Sequence, residues 1–370
     1  MSKKIIFIAQ QLEAGGLEKA VITLANALNE REDYDVRLYI VLHSKPIIPI
    51  NDGIKVVFLT ERLLKKESKP ERYIRKLIEL NSVRKAIRNI HEAVVISTRN
   101  EYSTIISSNT DKSNFIIAQL HNDYSPKEFK DFCNKYQHIN VFPQLNQTFK
   151  EEIEPAMRKK NNFTQLPVIP NFIERQAYAD EPRENYVIAV GGFNKVKGFD
   201  RLVEIWDMSC RKNQNTNWKL LIAGDGKEFE NIKKIIERKN LNDRITLLGR
   251  LKNEDVFKYM RKAKVYALSS YSEAFSFVSL EAMHNKLPVV AFDVRTGPKN
   301  IIKDGETGFL VKDGDLTGFA AKIELLMNDE SLREKMGLAA TVHSENFLKE
   351  NVMKKWFELI DSANIGVANE

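Results

Sequence analysis

Two glutamates, Glu273 and Glu281, frame the stretch YSEAFSFVSLEAM at residues 271–283, whose other side chains are apolar or hydroxylic. In a single helix, eight positions would separate the two carboxylates by about 12 Å along the axis, so they would share no ligand. A loop that ends at Glu273, followed by a helix that carries Glu281 in its first turns, would let both face one ligand. The other interpretation is an ordinary loop and helix with two solvated acids.

Two glycine-containing turns precede predicted helices. The stretch VGGFNKVKGFDRL at 190–202 brings Lys195 and Lys197 to the start of a helical pattern. A lysine there opposes the helix dipole, so a bound phosphate explains Lys197 better than helix stability does; the alternative is a solvated lysine. Gly15 and Gly16 precede another helical pattern and indicate either an anion site or a tight turn. The full GxGxxG fingerprint is absent, which disfavours a nicotinamide cofactor.

Apolar runs alternate with helical patterns along nearly the whole chain, in two series. The first series of predicted strands comprises 5–9, 36–42, 55–59, 93–97, 114–120 and 140–144, and the second comprises 186–192, 218–224, 244–249, 265–270 and 288–293. Continuous apolar strands between helices are typical of parallel sheets covered on both faces. We therefore predict two Rossmann-like α/β domains, at 1–171 and 172–346, and a C-terminal helix at 347–370 that returns to the first domain.

The candidate residues of the second series lie where predicted strands lead into helices, which is where open α/β sheets bind ligands. A lysine beside a helix start suits a diphosphate. Ionised glutamates only accept hydrogen bonds and therefore suit hydroxyl groups. A ligand that combines a diphosphate with two pairs of neighbouring hydroxyls is a nucleotide sugar.

Composition narrows the class of protein. The 370 residues are 43% hydrophobic and 29% charged, as in a globular protein, and no run of 18 apolar residues predicts a transmembrane helix. The two cysteines, Cys133 and Cys210, have no metal-like spacing and are interpreted as buried thiols of a cytoplasmic protein.

The net charge of +7 is concentrated at 61–90, where ten lysines and arginines face four glutamates among apolar residues at helical spacing. This pattern fits an anionic membrane surface or a packed helix with a solvated basic face.

The second series resembles the retaining glycosyltransferases of family 4, which have the GT-B fold. The resemblance runs from about 185 to 315 through VGGFNKVKGFD, LLIAGDG, ITLLGRL, SSYSEAFSFVSLEAM, PVVAFD and GPKNIIKDGETGFLV. It extends more loosely to Gly15-Gly16 and to the hinge VIPNFIE. It implies two Rossmann-like domains that face each other across an interdomain cleft, with the acceptor bound by the first and the nucleotide sugar by the second.

The resemblance also implies roles for individual residues. Glu281 would hold the ribose, and Glu273 the donor sugar. Lys197, Lys195, Gly15 and Gly16 would meet the diphosphate, and His121 would lie near the reacting sugar or serve as a structural histidine. The remaining donor-binding positions would be Gly192, Arg250, Leu251, Ala274, Phe275, Ser276 and Phe277. The residues implied in catalysis are Glu273, Lys197 and His121.

The implied enzyme is a metal-independent, retaining transferase with no cofactor. It would move a hexose-type sugar from a nucleotide diphosphate, UDP above all, to lipopolysaccharide, capsule or another surface glycan. We expect a glycan or glycolipid acceptor, no nucleic acid, and a cytoplasmic location, peripheral at the inner face of the membrane if 61–90 binds lipid. Two alternatives remain: a non-catalytic binding subunit, since Gly192 stands where the family usually carries arginine, and an epimerase or hydrolase of similar fold.

Overall fold

The computed structural model describes residues 2–13, 15–61, 68–121, 124–157, 165–176, 181–212 and 217–366. The chain divides into two compact units. Unit 1 comprises Met1–Asn171 together with Val352–Glu370, and unit 2 comprises Phe172–Asn351. Among the described residues, no helix is both long and apolar enough to cross a membrane.

Unit 1 is built on a parallel sheet whose described strands are ordered β3-β2-β1-β4-β5. The strands are β1 (Lys3–Ala9), β2 (Tyr34–Ile40), β3 (Lys55–Phe58), β4 (Ala93–Ser97) and β5 (Phe115–Ala118). The helices are α1 (Gly16–Leu28), α2 (Lys69–Arg88), α3 (Asn100–Asn109), α4 (Pro126–Lys135) and α5 (Gln147–Met157). Every residue of β4 is buried, because helices cover both faces of a parallel sheet.

Unit 2 contains a second parallel sheet, with its described strands in the order β11-β10-β9-β6-β7-β8. The strands are β6 (Tyr186–Val190), β7 (Lys219–Ala223), β8 (Ile245–Gly249), β9 (Val265–Leu268), β10 (Val289–Asp293) and β11 (Gly308–Lys312). The helices are α6 (Phe199–Lys212), α7 (Phe229–Arg238), α8 (Asn253–Lys262), α9 (Phe277–His284), α10 (Leu316–Asn328) and α11 (Glu330–Ser344). The two parallel sheets confirm the predicted pair of Rossmann-like folds.

The predicted strand at 140–144 is wrong. Val141 and Gln144 form only isolated bridges, to Ile117, Gln165 and Val168. Pro143 lies between them and has no N–H to donate, so a continuous ladder cannot form there. The interpretation of both cysteines as buried thiols is wrong for Cys210, which is half-buried. The side chain of Cys133 lies outside the described residues.

The last helix, α12 (Lys349–Asp361), packs an apolar stripe into the protein: Val352, Trp356, Leu359 and Ile360 are all buried. Its end contacts the rest of unit 1 through Asp361. The Asp361 carboxylate accepts hydrogen bonds from the Tyr34 hydroxyl (2.6 Å) and from Nη1 of Arg31 (2.8 Å). Burial works to raise the pKa of Asp361, but these two hydrogen bonds outweigh it and hold the pKa below its ordinary value.

A carboxyl whose pKa is lowered by folding stabilises the folded state above its unfolded pKa of about 3.9, and this contribution disappears as the pH falls through the lower folded value. We predict that Asp361→Asn lowers the Tm at pH 7 by roughly 2–4 °C. The difference from the wild type should shrink below about pH 4, because the wild-type carboxyl then protonates. Glu358→Gln is the control, since it removes the same charge from an exposed position of the same helix. Thermal unfolding followed by circular dichroism measures both, and a difference that did not change with pH would contradict the prediction.

Candidate functional site

The best candidate site of unit 2 lies at the carboxyl ends of β6 and β9. These strands are neighbours, and from them the chain proceeds outward in opposite directions, through β7 and β8 on one side and β10 and β11 on the other. Ligands of open α/β sheets bind where the strand order reverses in this way. Two loops follow these strands, at 191–198 and 269–276. The first contains the predicted lysines Lys195 and Lys197, and the second contains Glu273.

Lys197 and Glu273 form an ion pair in this place. Nζ of Lys197 lies 2.8 Å from Oε2 of Glu273, and the side chains are 23% and 11% exposed. The Ser270 hydroxyl donates to the same oxygen at 3.1 Å. No hydrogen bond from the part of the chain that the structure describes reaches Oε1 of Glu273. Lys197 is therefore held where the two loops meet and keeps further N–H donors for a ligand. Glu273 keeps Oε1 as an acceptor.

Glu281 lies on α9, which begins just after Ser276. The Ser276 hydroxyl caps the helix by accepting from the N–H of Ser279 at 3.3 Å. Glu273 precedes the helix in a loop, so the predicted change from loop to helix between the two acids is confirmed. Burial is the main cause that raises the pKa of the Tyr266 hydroxyl, and the charges of Glu273 and Glu281 both add to it. Both carboxylates thus lie within electrostatic reach of a single side chain.

Gly198 allows the two loops to touch. Its φ is +62°, and a Cβ placed there would lie 2.2 Å from the Ser269 carbonyl oxygen. The Ser269 hydroxyl donates back to the carbonyl of Lys197 at 3.0 Å. A side chain at 198 would both strain the backbone and separate the loops, so Lys197 must be followed by a glycine.

Arg201 holds the second loop in position, and the sequence interpretation missed it. It is 5% exposed and donates to the carbonyls of Ser269 (2.5 Å) and Ser270. Its guanidinium is stacked between the rings of Tyr271 and Phe292, at 3.9 and 3.8 Å from their centroids, and it pairs with Asp313 at 2.7 Å. An arginine among the apolar residues of FDRLVEIW is the signal that would have identified it.

Thr296 and Gly297 fix the backbone of Glu273 from a third loop. The N–H of Gly297 donates to the Glu273 carbonyl at 2.6 Å, and the Thr296 hydroxyl donates to the same oxygen at 2.8 Å. A Cβ at 297 would lie 2.4 Å from that oxygen. The stretch RTGPKN, of which only GPKN belongs to the motifs that carry the resemblance, therefore positions the first glutamate.

The backbone of Phe275, Ser276 and Phe277 passes through the junction between this loop and α9, with all three side chains buried. Ala274, beside Glu273, is half-buried. Buried side chains here leave the main chain as the group that a ligand would meet at the helix start.

The predicted base-binding side is more open. Arg250 is 79% exposed and pairs with Asp225 at 3.4 Å, and Leu251 beside it is half-buried. Lys195 is exposed and is not part of the Lys197–Glu273 pair. These residues do not converge with the pair through any described contact.

Gly192 is exposed, and a Cβ there would meet nothing closer than 3.6 Å. It does not have a positive φ. Neither steric crowding nor backbone conformation therefore requires glycine at 192.

Unit 1 has its own reversal of strand order, between β1 and β4. Gly15 (φ 122°) and Gly16 lie after β1 and open α1, as predicted. A Cβ on Gly15 would lie 2.6 Å from Oε2 of Glu18. Burial raises the pKa of Glu18, whose carboxylate accepts a hydrogen bond from Gln11 at 3.3 Å. The sequence interpretation missed this acid behind the two glycines.

His121 follows β5. Burial lowers its pKa to about 4, so its imidazole is neutral at pH 7. Its Nε2 is buried without a hydrogen-bond partner among the described residues, as are Nε of Arg99 after β4 and Oε1 of Gln11 after β1. Because β1, β4 and β5 are adjacent, these unsatisfied atoms all lie at one edge of the sheet. Buried polar atoms usually have partners, so this edge suits a polar ligand.

Among the described residues, no group of three histidine, cysteine or acidic side chains is arranged to hold a metal ion. The chemistry available at the unit 2 site is that of a positioned cation, a helix start and carboxylate acceptors. That set suits a phosphorylated ligand that carries hydroxyl groups.

Comparisons with known proteins agree with this geometry. Residues 171–343 match the family model described as "Glycosyl transferases group 1". The amylovoran biosynthesis glycosyltransferase AmsD of Erwinia amylovora is 27% identical over 98% of this chain and 100% of its own length. An undecaprenol-diphosphate saccharide α-1,4-N-acetyl-D-galactosaminyltransferase of Campylobacter jejuni is 26% identical over 96% of this chain and 98% of its own.

Among solved structures, a point mutant of TarM from S. aureus, in complex with fondaparinux, α-GlcNAc-glycerol and UDP, superposes with a TM-score of 0.77. It is 17% identical and covers 97% of this chain and 100% of its own, which shows the fold. The family match therefore covers most of unit 2, the two relatives are glycosyltransferases that are similar to this chain over nearly its full length, and the paired Rossmann-like sheets are those of the GT-B fold.

Proposed function

We propose that this enzyme transfers a hexose-type sugar from a UDP-sugar to a growing bacterial surface glycan, with retention of configuration. The observation that carries the proposal is the Lys197–Glu273 pair beside the start of α9, with Glu281 inside that helix. It supplies a cation for a diphosphate and carboxylates for hydroxyl groups at the point where an open α/β sheet binds ligands.

The names of similar proteins support the donor and the acceptor class. The TarM structure contains UDP, and the Campylobacter relative is named for transfer of N-acetylgalactosamine to a saccharide on undecaprenol diphosphate. AmsD is named for amylovoran biosynthesis. A UDP-sugar donor and a saccharide acceptor, free or lipid-linked, follow as the proposed substrates of this chain.

In the proposed donor complex, Glu281 accepts from the ribose hydroxyls and Oε1 of Glu273 accepts from the donor sugar. Lys197 and the N–H groups at the start of α9 hold the diphosphate, and Lys195 supplies further positive charge. The backbone near Arg250 and Leu251 holds the base. Unit 2 is then the donor-binding domain and unit 1 the acceptor-binding domain, with Gly15, Gly16 and His121 as its predicted contributions.

The chemistry requires no side-chain nucleophile. The leaving diphosphate remains on the face from which the acceptor approaches and helps to remove the proton of the incoming hydroxyl. Lys197 and the helix start stabilise the charge that develops on the diphosphate. Because the Lys197 ammonium is already fixed by Glu273, little reorganisation accompanies the reaction.

A second candidate function is that of a non-catalytic subunit that binds a nucleotide sugar. Gly192 favours it, since a diphosphate there would lack the bidentate, permanently charged partner that an arginine provides. Release of UDP by the purified protein from a UDP-sugar plus acceptor glycan, lost in Glu281→Ala, would exclude this candidate.

The proposed roles of Lys197 and Glu281 can be tested directly. Either Lys197→Ala or Glu281→Ala should lower the rate of sugar transfer at least tenfold, because each removes a charged partner of the donor worth about 1.5–3 kcal/mol. Transfer to acceptor glycan, measured as UDP release, is the assay. Lys195→Ala is the matched control, since it removes an exposed lysine of the same loop and should cost less. Unchanged activity in both variants would reject the assignment.

Gly192→Arg should tighten donor binding, because a side chain there meets no steric obstacle and a guanidinium can hold phosphate oxygens in pairs. We expect an increase in UDP affinity of about tenfold, which calorimetric titration measures. Gly192→Ala serves as control and should leave the affinity unchanged. Equal affinity in the arginine variant and the wild type would place the diphosphate elsewhere.

Arg201→Met should lower kcat/KM for the donor, because the carbonyls of Ser269 and Ser270 lose the guanidinium that positions the Glu273 loop. Lysine should not restore activity, since it cannot reproduce the stacked, forked geometry. Arg211→Met is the control, as it changes an exposed arginine of the same helix. Activity and UDP affinity should both fall in Arg201→Met. An Arg201→Lys protein of full activity would contradict the positioning role.

A further inference from the structure

Two short segments carry the chain between unit 1 and unit 2. The first connecting segment, at 172–176, opens unit 2, and the second connecting segment, at 347–351, closes it. The N–H of Ile173 donates to the carbonyl of Phe347 at 2.9 Å, and the N–H of Lys349 donates to the carbonyl of Ile173 at 3.1 Å. The two connecting segments are therefore joined to each other by backbone hydrogen bonds within unit 2.

Side chains also hold the two connecting segments together. Arg175 pairs with Glu350, with Nη2 and Oε1 2.8 Å apart. Both of these side chains are about half exposed, so the ion pair contributes little. Burial contributes more, because Ile173 is 4% exposed and Leu348, which faces it, is fully buried. The joined segments are thus a packed element of unit 2 that can support a neighbour.

The second connecting segment packs on the loop that leads into α9. The ring centroid of Phe347 lies 6.2 Å from that of Phe275, and Phe275 meets Phe277 edge-on at 5.6 Å. All three rings are buried. The backbone of Phe275 and Phe277 passes the start of α9, where a ligand would meet the main chain. Phe347 therefore supports the part of the chain that is proposed to hold the diphosphate.

The first connecting segment holds the other end of α9. His284, the last residue of the helix, is 1% exposed, and its Nε2 accepts from the N–H of Gln176 at 3.3 Å. The Ser344 hydroxyl donates to the carbonyl of Thr341 at 2.7 Å, so Nδ1 of His284 donates to the Ser344 oxygen at 3.2 Å. Burial is the main cause that lowers the pKa of His284, and the neutral imidazole keeps Nε2 as an acceptor at pH 7.

Helix α9 is short, and both of its ends are supported in this way. Its eight residues span about 12 Å and include Glu281. One connecting segment packs at its start, the other is hydrogen-bonded at its end, and the two segments are joined to each other. Close-packed interiors transmit a displacement to their neighbours. A shift of the connecting segments would therefore move the helix start and Glu281.

We propose that Phe347 and His284 are positioning residues for the donor, which act by holding the two ends of α9 against the joined connecting segments. The inference rests on the proposed function, because it takes α9 as the helix that meets the nucleotide. Coupling of this kind is reciprocal. Loss of either contact weakens donor binding, and a bound donor makes the connecting segments harder to open.

Amide hydrogen exchange and calorimetric titration with UDP, both on the full chain, test the proposal. Phe347→Leu and His284→Leu should each speed the exchange of α9 amides in the ligand-free protein and lower the affinity for UDP by about fivefold or more. His284→Gln should keep more affinity than His284→Leu, since its amide oxygen can still accept from Gln176. In the wild type, UDP should slow the exchange of the Ile173 and Lys349 amides.

The matched control is Phe309→Leu, which makes the same change at another buried ring of unit 2, in β11, that is 8% exposed compared with 9% for Phe347. It should lower the Tm by a similar amount and leave the exchange of α9 and the UDP affinity unchanged. Circular dichroism gives the temperature range in which every variant is folded, and the titrations are made within it.

Two results would overturn the proposal. The first is an equal loss of UDP affinity in Phe309→Leu and Phe347→Leu, which would indicate a general loss of stability. The second is wild-type exchange of α9 in both Phe347→Leu and His284→Leu. Wild-type protein that binds no UDP would instead reject the proposed function, and the exchange of α9 in the variants would then decide this inference alone.

Discussion

The unit 2 site depends on one buried guanidinium. Arg201 leaves α6, passes between two aromatic rings and holds the carbonyls at the end of β9. A buried charge is costly unless it is paired and hydrogen-bonded, and this one is satisfied by Asp313 and by main-chain oxygens. The consequence is that the loop after β9 has a defined path, and Glu273 is delivered to Lys197.

Close backbone contacts complete that arrangement. Gly198 meets Ser269, and Gly297 meets Glu273, at distances that leave no room for a Cβ. Three loops that are far apart in sequence therefore meet through glycines and are fixed by an arginine. Electrostatic preorganisation of this kind is what the proposed transfer needs, because the protein would stabilise a leaving diphosphate and perform no covalent step itself.

Unit 1 distributes its polar groups differently. Glu79 is buried and fully engaged, and it fixes the orientation of α2. His121, Arg99 and Gln11 each leave a buried atom without a partner among the described residues. Glu79 has a structural role, because both of its carboxylate oxygens accept hydrogen bonds. His121, Arg99 and Gln11 leave hydrogen-bonding capacity at the ends of adjacent strands, where a polar ligand could use it.

Much of this was predictable from the sequence. Continuous apolar runs such as AVVIS and the helical patterns between them indicate parallel sheets, since strands buried on both faces have no polar alternation. The turn before Lys197 and the start of α9 were likewise predictable, because glycine and serine have local conformational preferences that act within a few residues. The error at 140–144 shows the limit: β-branched and aromatic neighbours favoured a strand, while Pro143 could not take part in the ladder.

By itself, then, the sequence determined the fold class and the local turns that carry Glu273, Lys197 and Glu281, because these follow from periodicity and short-range preferences. Only the tertiary structure decided that Lys197 pairs with Glu273, that Arg201 positions their loop, and that Glu79 joins α2 to Gln10 and Tyr102. Those facts depend on contacts between residues that are distant in the chain. Packing and burial choose such contacts, and no local pattern records the choice.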